Sequence, residues 1–199
     1  MSLLREQGPF RVNCVVVKQN QDELEEYARY LVDRWKPSMV NFICFNPHHE
    51  WRSAVGSNDF CADLRRAERP MDIAIHTLEG AGIGVNLRYY PMCRVDERHR
   101  RCISNDIHVA YDPWEWDYSI FPKTYENFLE WSQLNSEGTE EKGEPCCKCD
   151  LFMICGGINK YFNEFTKGKM VNPVGGFTGD KGDFYWYRRD NVMTLEEQC

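Results

Sequence analysis

At 199 residues, with 42% apolar side chains, the chain is long enough for one domain, or a domain with a small appendage, around a real core. Its formal net charge of −7 argues against binding nucleic acid through a basic surface. No apolar run is long enough to span a membrane, and Met1-Ser2-Leu3-Leu4-Arg5 gives way to Glu6, Gln7 and Gly8 rather than to a signal-peptide core, so a cytoplasmic location is expected.

In chain order, residues 10–18 are rich in β-branched side chains and predict a buried strand. Asn20 and Glu23 then have the spacing of a helix N-cap and its partner. Leu24, Tyr27, Ala28, Leu31, Val32 and Trp35 follow at helical intervals, and Pro37 stops that helix. Residues 39–45 predict a second strand, followed by the loop Asn46-Pro47-His48-His49-Glu50-Trp51. A second helical region runs from about Asp59 to Leu78, with Pro70 expected to kink or divide it. Met71, Ala74, Ile75 and Leu78 make its apolar face, and Gly80 and Gly82 end it. Residues 83–90 alternate: Ile83, Val85, Leu87 and Tyr89 point one way, Gly84, Asn86, Arg88 and Tyr90 the other.

This β-α-β-α-β order implies parallel strands, which need cover on both faces. The chain opens almost directly on a strand, so an incomplete sheet is expected, with its missing strands upstream or in another chain. The alternative is a small, complete three-layer domain. Beyond residue 93 the periodicity fades. Residues 111–117 are aromatic and acidic, 123–134 predict a short helix, and 135–144 a polar connection. A last short helix is expected near 157–166, before a Gly-rich, aromatic tail.

Ten cysteines is a high count for a reducing compartment, where clustered thiols more often bind metal than form disulfides. Cys14, Cys44 and Cys61 lie in apolar segments, whereas Cys146, Cys147, Cys149 and Cys155 fall within ten residues. Cys146, Cys149 and Cys155 form C-x2-C-x5-C, followed by Gly156 and Gly157, which let the backbone approach closely. A cubane cluster or a structural zinc site takes four thiolates as a rule, so a fourth must come from elsewhere. Cys93, just past the third strand in Tyr90-Pro91-Met92-Cys93, is the chosen fourth ligand; Cys102 and Cys199 are its rivals, and Cys147 is a spectator. Spacing alone separates zinc from iron–sulfur poorly.

Three stretches together resemble radical SAM proteins carrying a SPASM or related C-terminal extension. FRVNCVVVKQNQDELEEYARYLVDRW is similar to a mid-barrel strand and the helix after it. VNLRYYPMC is similar to the last barrel strand running into the first auxiliary-cluster cysteine, and CCKCDLFMICGG resembles the core of a SPASM module. The resemblance implies a partial parallel (β/α) barrel of three strands over residues 1–92. A small cysteine-rich SPASM-like module with an irregular tail would occupy residues 93–199. It also implies one auxiliary [4Fe–4S] cluster on Cys93, Cys146, Cys149 and Cys155. Two departures stand out. The C-x3-C-x2-C motif that binds the S-adenosylmethionine-cleaving cluster is absent, and a further module cysteine is replaced by Asn159. The chain alone is therefore expected to be inactive, S-adenosylmethionine entering only with the missing barrel half. The expected activity of the whole is radical modification of a peptide or protein.

Each expected strand carries Val-Asn, at Val12-Asn13, Val40-Asn41 and Val85-Asn86, and amides in apolar strands need hydrogen-bond partners. Asn86, Arg88 and Tyr90 are the candidate cofactor-binding residues if they line a lumen, with Arg88 suited to a carboxylate. His48, His49 and Glu50 are candidates for metal binding or proton movement, or form an exposed polar loop. Asp112, Trp114, Glu115, Trp116 and Asp117 could recognise a peptide or simply cover the cluster. The alternative reading of the whole chain is a non-catalytic zinc or iron–sulfur module that binds a protein or peptide.

Overall fold

The computed structural model describes residues 8–45, 59–103, 140–152 and 154–176. The expected loop at 46–51, the aromatic segment at 111–117, the helix at 123–134, the tail beyond residue 176 and Cys199 lie outside the described residues. The fold is α/β. Strands β1 (Arg11–Val16), β2 (Met39–Cys44) and β3 (Gly84–Arg88) form one sheet in that order, all parallel, and the described residues close no barrel. β3 takes one further parallel bridge, Leu87 to Ile103. Among the described residues no helix is long and apolar enough to cross a membrane.

One sheet face is apolar and packed. Val16, Val40, Phe42 and Leu87 are fully enclosed there in a single core with Leu24, Ala28 and Leu31 of helix α1 (Leu24–Tyr30, continuing as a π-helical turn, Leu31–Trp35). Helix α2 (Leu64–Gly80) adds Leu64, Ala67, Met71, Ala74, Ile75 and Leu78. This core continues through Met92, Leu151, Ile154, Ile158 and Phe162, so the buried side chains of the sheet and of the cysteine-rich segment form one cluster.

Local chemistry departs from the sequence-based expectations in three places. Asn20 does not cap α1. Its Oδ1 accepts from Val17 N and its Nδ2 donates to Val15 O, both at 2.9 Å, closing the turn that ends β1. Glu23 occupies the N-cap position, with no side-chain capping bond. Pro70 does not divide α2, which runs as one helix from an Asp63 cap whose carboxylate accepts from Arg65 N at 3.1 Å. A proline inside a helix costs about 3 kcal/mol, and burial of Ala67, Met71, Ala74, Ile75 and Leu78 on both sides of it outweighs that. The alternation of β3 ends at Arg88, because Tyr89 takes a left-handed φ of 60°.

Four thiols outside the cysteine-rich segment are raised by burial: Cys14 and Cys61 to about 11, Cys102 to about 12, and Cys44 further still. Each prefers its neutral form when folded. The resulting stability is fully present below the unfolded value of 9.0 and is lost as pH rises through 11 to 12. Urea midpoints should therefore fall between pH 8.5 and about 11, and Cys14→Val should show a shallower fall than wild type. An equal fall in both would contradict this.

Candidate metal centre

The turn of 3-10 helix at Met92–Arg94 follows β3 and brings Cys93 to the rim of a cleft. Arg100, itself buried, holds that turn by donating from Nε to Met92 O at 3.3 Å. The segment around it docks on α2 through charge pairs: Arg94–Glu68 at 2.8 Å, Arg98–Asp72 at 3.1 Å and Arg101–Glu79 at 2.6 Å. His99, nearly enclosed, lies 3.2 Å from Asp72.

The other side of the cleft is a loop pinned by a two-strand ribbon. β4 (Glu140–Glu141) pairs antiparallel with β5 (Ile158–Asn159). Between them, a 3-10 turn (Glu144–Lys148) presents Cys146. The chain then folds back through Cys149 N→Cys146 O at 2.9 Å and Cys155 N→Leu151 O at 2.9 Å. Gly157 closes this loop at φ +98°, where any Cβ would fall inside the Glu141 carbonyl. Asn159, at the position where the resembled module has a cysteine, caps helix α3 (Lys160–Thr166) by accepting from Phe162 N at 3.0 Å.

All four cysteines expected as ligands, Cys93, Cys146, Cys149 and Cys155, line this one cleft, with Pro91, Lys142, Phe152, Gly157 and Asn172 among the other walls. Cys93 lies 53 residues before Cys146 in sequence. Main-chain N–H groups point at the sulfurs: Asn172 N to Cys93 Sγ at 3.4 Å, Val174 N to Cys149 Sγ at 3.3 Å and Gly157 N to Cys155 Sγ at 3.4 Å. Burial pushes the Cys93 thiol up to about 11, opposed by the Asn172 N–H, with Cys155 and Cys146 pushing it further. Cys146 is raised by burial, then by Cys155 and Cys149. Cys155 is raised by burial, against the main-chain N–H groups of Met92 and Gly157 and the Lys142 ammonium. Such thiols give up their protons readily only to a cation that replaces them.

Of the two rivals, Cys102 lies outside the cleft, its Sγ 3.5 Å from Glu79 Oε1, and Cys199 lies outside the described residues. Cys147, the expected spectator, is disulfide-bonded and is not among the lining residues. Among the described residues, no three His, Cys, Asp or Glu side chains converge closely enough to hold a single metal ion. The four thiols line one cleft.

The second candidate group divides. Asn13, Asn41 and Asn86 are in register across the sheet and form a ladder. Asn41 Nδ2 donates to Asn13 Oδ1 at 2.7 Å, and Asn86 Nδ2 to Asn41 Oδ1 at 3.2 Å. Arg88 shares that face and is 8% exposed. Tyr90 does not. The left-handed Tyr89 turns the chain, and Tyr90 is enclosed in the core on the helix-covered side, close enough to Cys44 and Cys14 for their charges to raise its pKa further after burial. Asn86 and Arg88 therefore stand together without Tyr90.

Sequence reasoning missed the strap at residues 169–174, which carries two of the N–H donors. Arg94 fixes it, donating to the carbonyls of Lys169, Met170 and Val171 while paired with Glu68. No pattern marks that role, since Arg94 simply follows Cys93. Arg94→Met should lower stability by about 2–3 kcal/mol, read by urea unfolding, because several carbonyls lose a charged donor at once. A loss below about 0.5 kcal/mol, typical of a surface change, would refute the clamp.

No protein-family model, curated protein or solved structure matches the chain.

Proposed function

We propose that this chain is the cluster-bearing, substrate-positioning portion of a radical SAM/SPASM enzyme acting on a peptide or protein. The observation that carries the reading is the convergence of Cys93, Cys146, Cys149 and Cys155 on one cleft, with main-chain N–H groups directed at their sulfurs. The thiolates would hold an auxiliary [4Fe–4S] cluster. Bound there, it supplies an electron-transfer centre or an iron site for a substrate donor atom. The N–H groups stabilise negative charge on sulfur, and the apolar walls of Pro91, Leu151 and Phe152 limit water.

The three-stranded parallel sheet supports the partial-barrel half of the reading. Its second face carries the Asn ladder and Arg88 rather than an apolar stripe. In a completed barrel that face lines the lumen, with Asn86 and Arg88 offered to the polar groups of S-adenosylmethionine. The complementing barrel half, in the same precursor or a second chain, would bring the cluster that cleaves it.

The test is metal analysis of anaerobically purified chain. About four irons and four sulfides, with an electron paramagnetic resonance signal on reduction, are expected. One zinc and no sulfide would overturn the iron–sulfur assignment and favour a protein-binding zinc module.

A further inference from the structure

We propose that Lys142 is the charge that tunes the reduction potential of the cysteine cleft, its ammonium favouring the state that carries one more electron. This rests on the iron–sulfur reading of the cleft and deepens it.

Lys142 lines the same cleft as the four cysteines. It is partly buried. It directly follows β4, whose pairing with β5 sets the loop that carries Cys155 and Gly157. Its Nζ donates to Phe152 O at 2.9 Å and sits 4.5 Å from the centroid of the Phe152 ring. Phe152 is itself buried and lines the cleft, so a desolvated ring and a carbonyl hold the ammonium at the thiol cluster instead of leaving it to swing into solvent.

Among the described residues, Arg94 is a second cation that acts on a cleft thiol, Cys93; its guanidinium pairs with Glu68 and donates to the strap carbonyls. A centre bound by four thiolates is anionic, and each added electron makes it more so. A fixed cation in a partly water-excluded cleft therefore stabilises the reduced state more than the oxidised one. The electron comes from dithionite, which is oxidised to sulfite; the centre gains one electron, and no bond or proton is exchanged.

The experiment compares wild type, Lys142→Gln and Lys142→Arg, all purified anaerobically. Iron and sulfide are assayed first, and reduction is then titrated with dithionite through viologen mediators. Lys142→Gln is expected to keep its iron and sulfide while its reduction equilibrium constant falls at least tenfold, about 59 mV for a one-electron couple. Lys142→Arg should titrate near wild type. A fully loaded Lys142→Gln chain with the wild-type potential would overturn the inference and leave the cluster assignment intact. If Lys142→Gln loses iron but Lys142→Arg retains it, the positive charge serves cluster assembly and not its potential, and the inference falls. If both lose iron, Lys142 is a packing residue and the inference falls. Wild type without iron and sulfide would instead defeat the reading on which it rests.

Discussion

Purified without oxygen, Cys149→Ala and Cys155→Ala chains should retain less than about one iron each, where about four are expected in wild type if the cleft holds the proposed cluster. Cys147→Ala and Cys102→Ala should match wild type. The expectation follows from where the sulfurs sit. Cys149 receives the Val174 N–H and Cys155 the Gly157 N–H, so each occupies its own corner of the cleft. Cys102 cannot substitute, because its thiol is turned to Glu79 on α2. Cys147 lies next to Cys146, but the cleft does not include it. Cys93→Ala should lose iron as fully as the other two, although it lies far away in sequence. Iron retained in Cys93→Ala, together with loss in Cys102→Ala, would show that the fourth ligand is misassigned. Iron and acid-labile sulfide assays on the five variants decide it.

Gly157→Ala should cost about 3 kcal/mol or more, with loss of bound iron. Two effects add. A residue other than glycine is strained at φ +98°, by about 1–3 kcal/mol. The new methyl would also press into the Glu141 carbonyl, which is backbone and cannot step aside without disturbing the β4–β5 pairing. Glu141 pairs with Ile158, next to Gly157, so relief would move the loop that carries Cys155. Gly168→Ala is the internal comparison. Its φ of +70° is also left-handed, but nothing lies within 4 Å of the added Cβ, so the cost should be about 1 kcal/mol. Urea unfolding of both variants measures the difference. Equal losses would mean that the ribbon yields and that Gly157 is not a tight contact.

The parts of the molecule legible in sequence are those governed by a local repeat. β1, β2 and β3 show as short β-branched or alternating runs, and α1 and α2 as apolar residues at helical spacing. These patterns also order the strands, because helices between them leave parallel pairing as the natural connection. The C-x2-C-x5-C spacing is local too, since a short loop must bring its own thiols together. Choosing Cys93 needed one topological step: a residue just past the end of a parallel strand lies on the side where such folds place their ligand-bearing loops.

Where local signals competed, only the tertiary structure decided. Asn20 has the spacing of a helix cap, but the turn after β1 claimed its amide. Pro70 is a helix breaker by itself, and the core on both sides of it kept α2 whole. Tyr90 shares parity with Asn86 and Arg88, and a single left-handed residue moved it to the opposite side of the sheet. The strap at 169–174 and the Arg94 clamp have no sequence signature, because their contacts join positions tens of residues apart; the Lys142 contact to Phe152 follows no local repeat either. By itself the sequence determined the repeating elements, their parallel order and which thiols are spaced for a shared centre, since each depends on neighbours along the chain. Which thiols share a cleft, which way Tyr90 faces and which cation stands beside the sulfurs were decided by packing and hydrogen bonding, because those energies depend on neighbours in space.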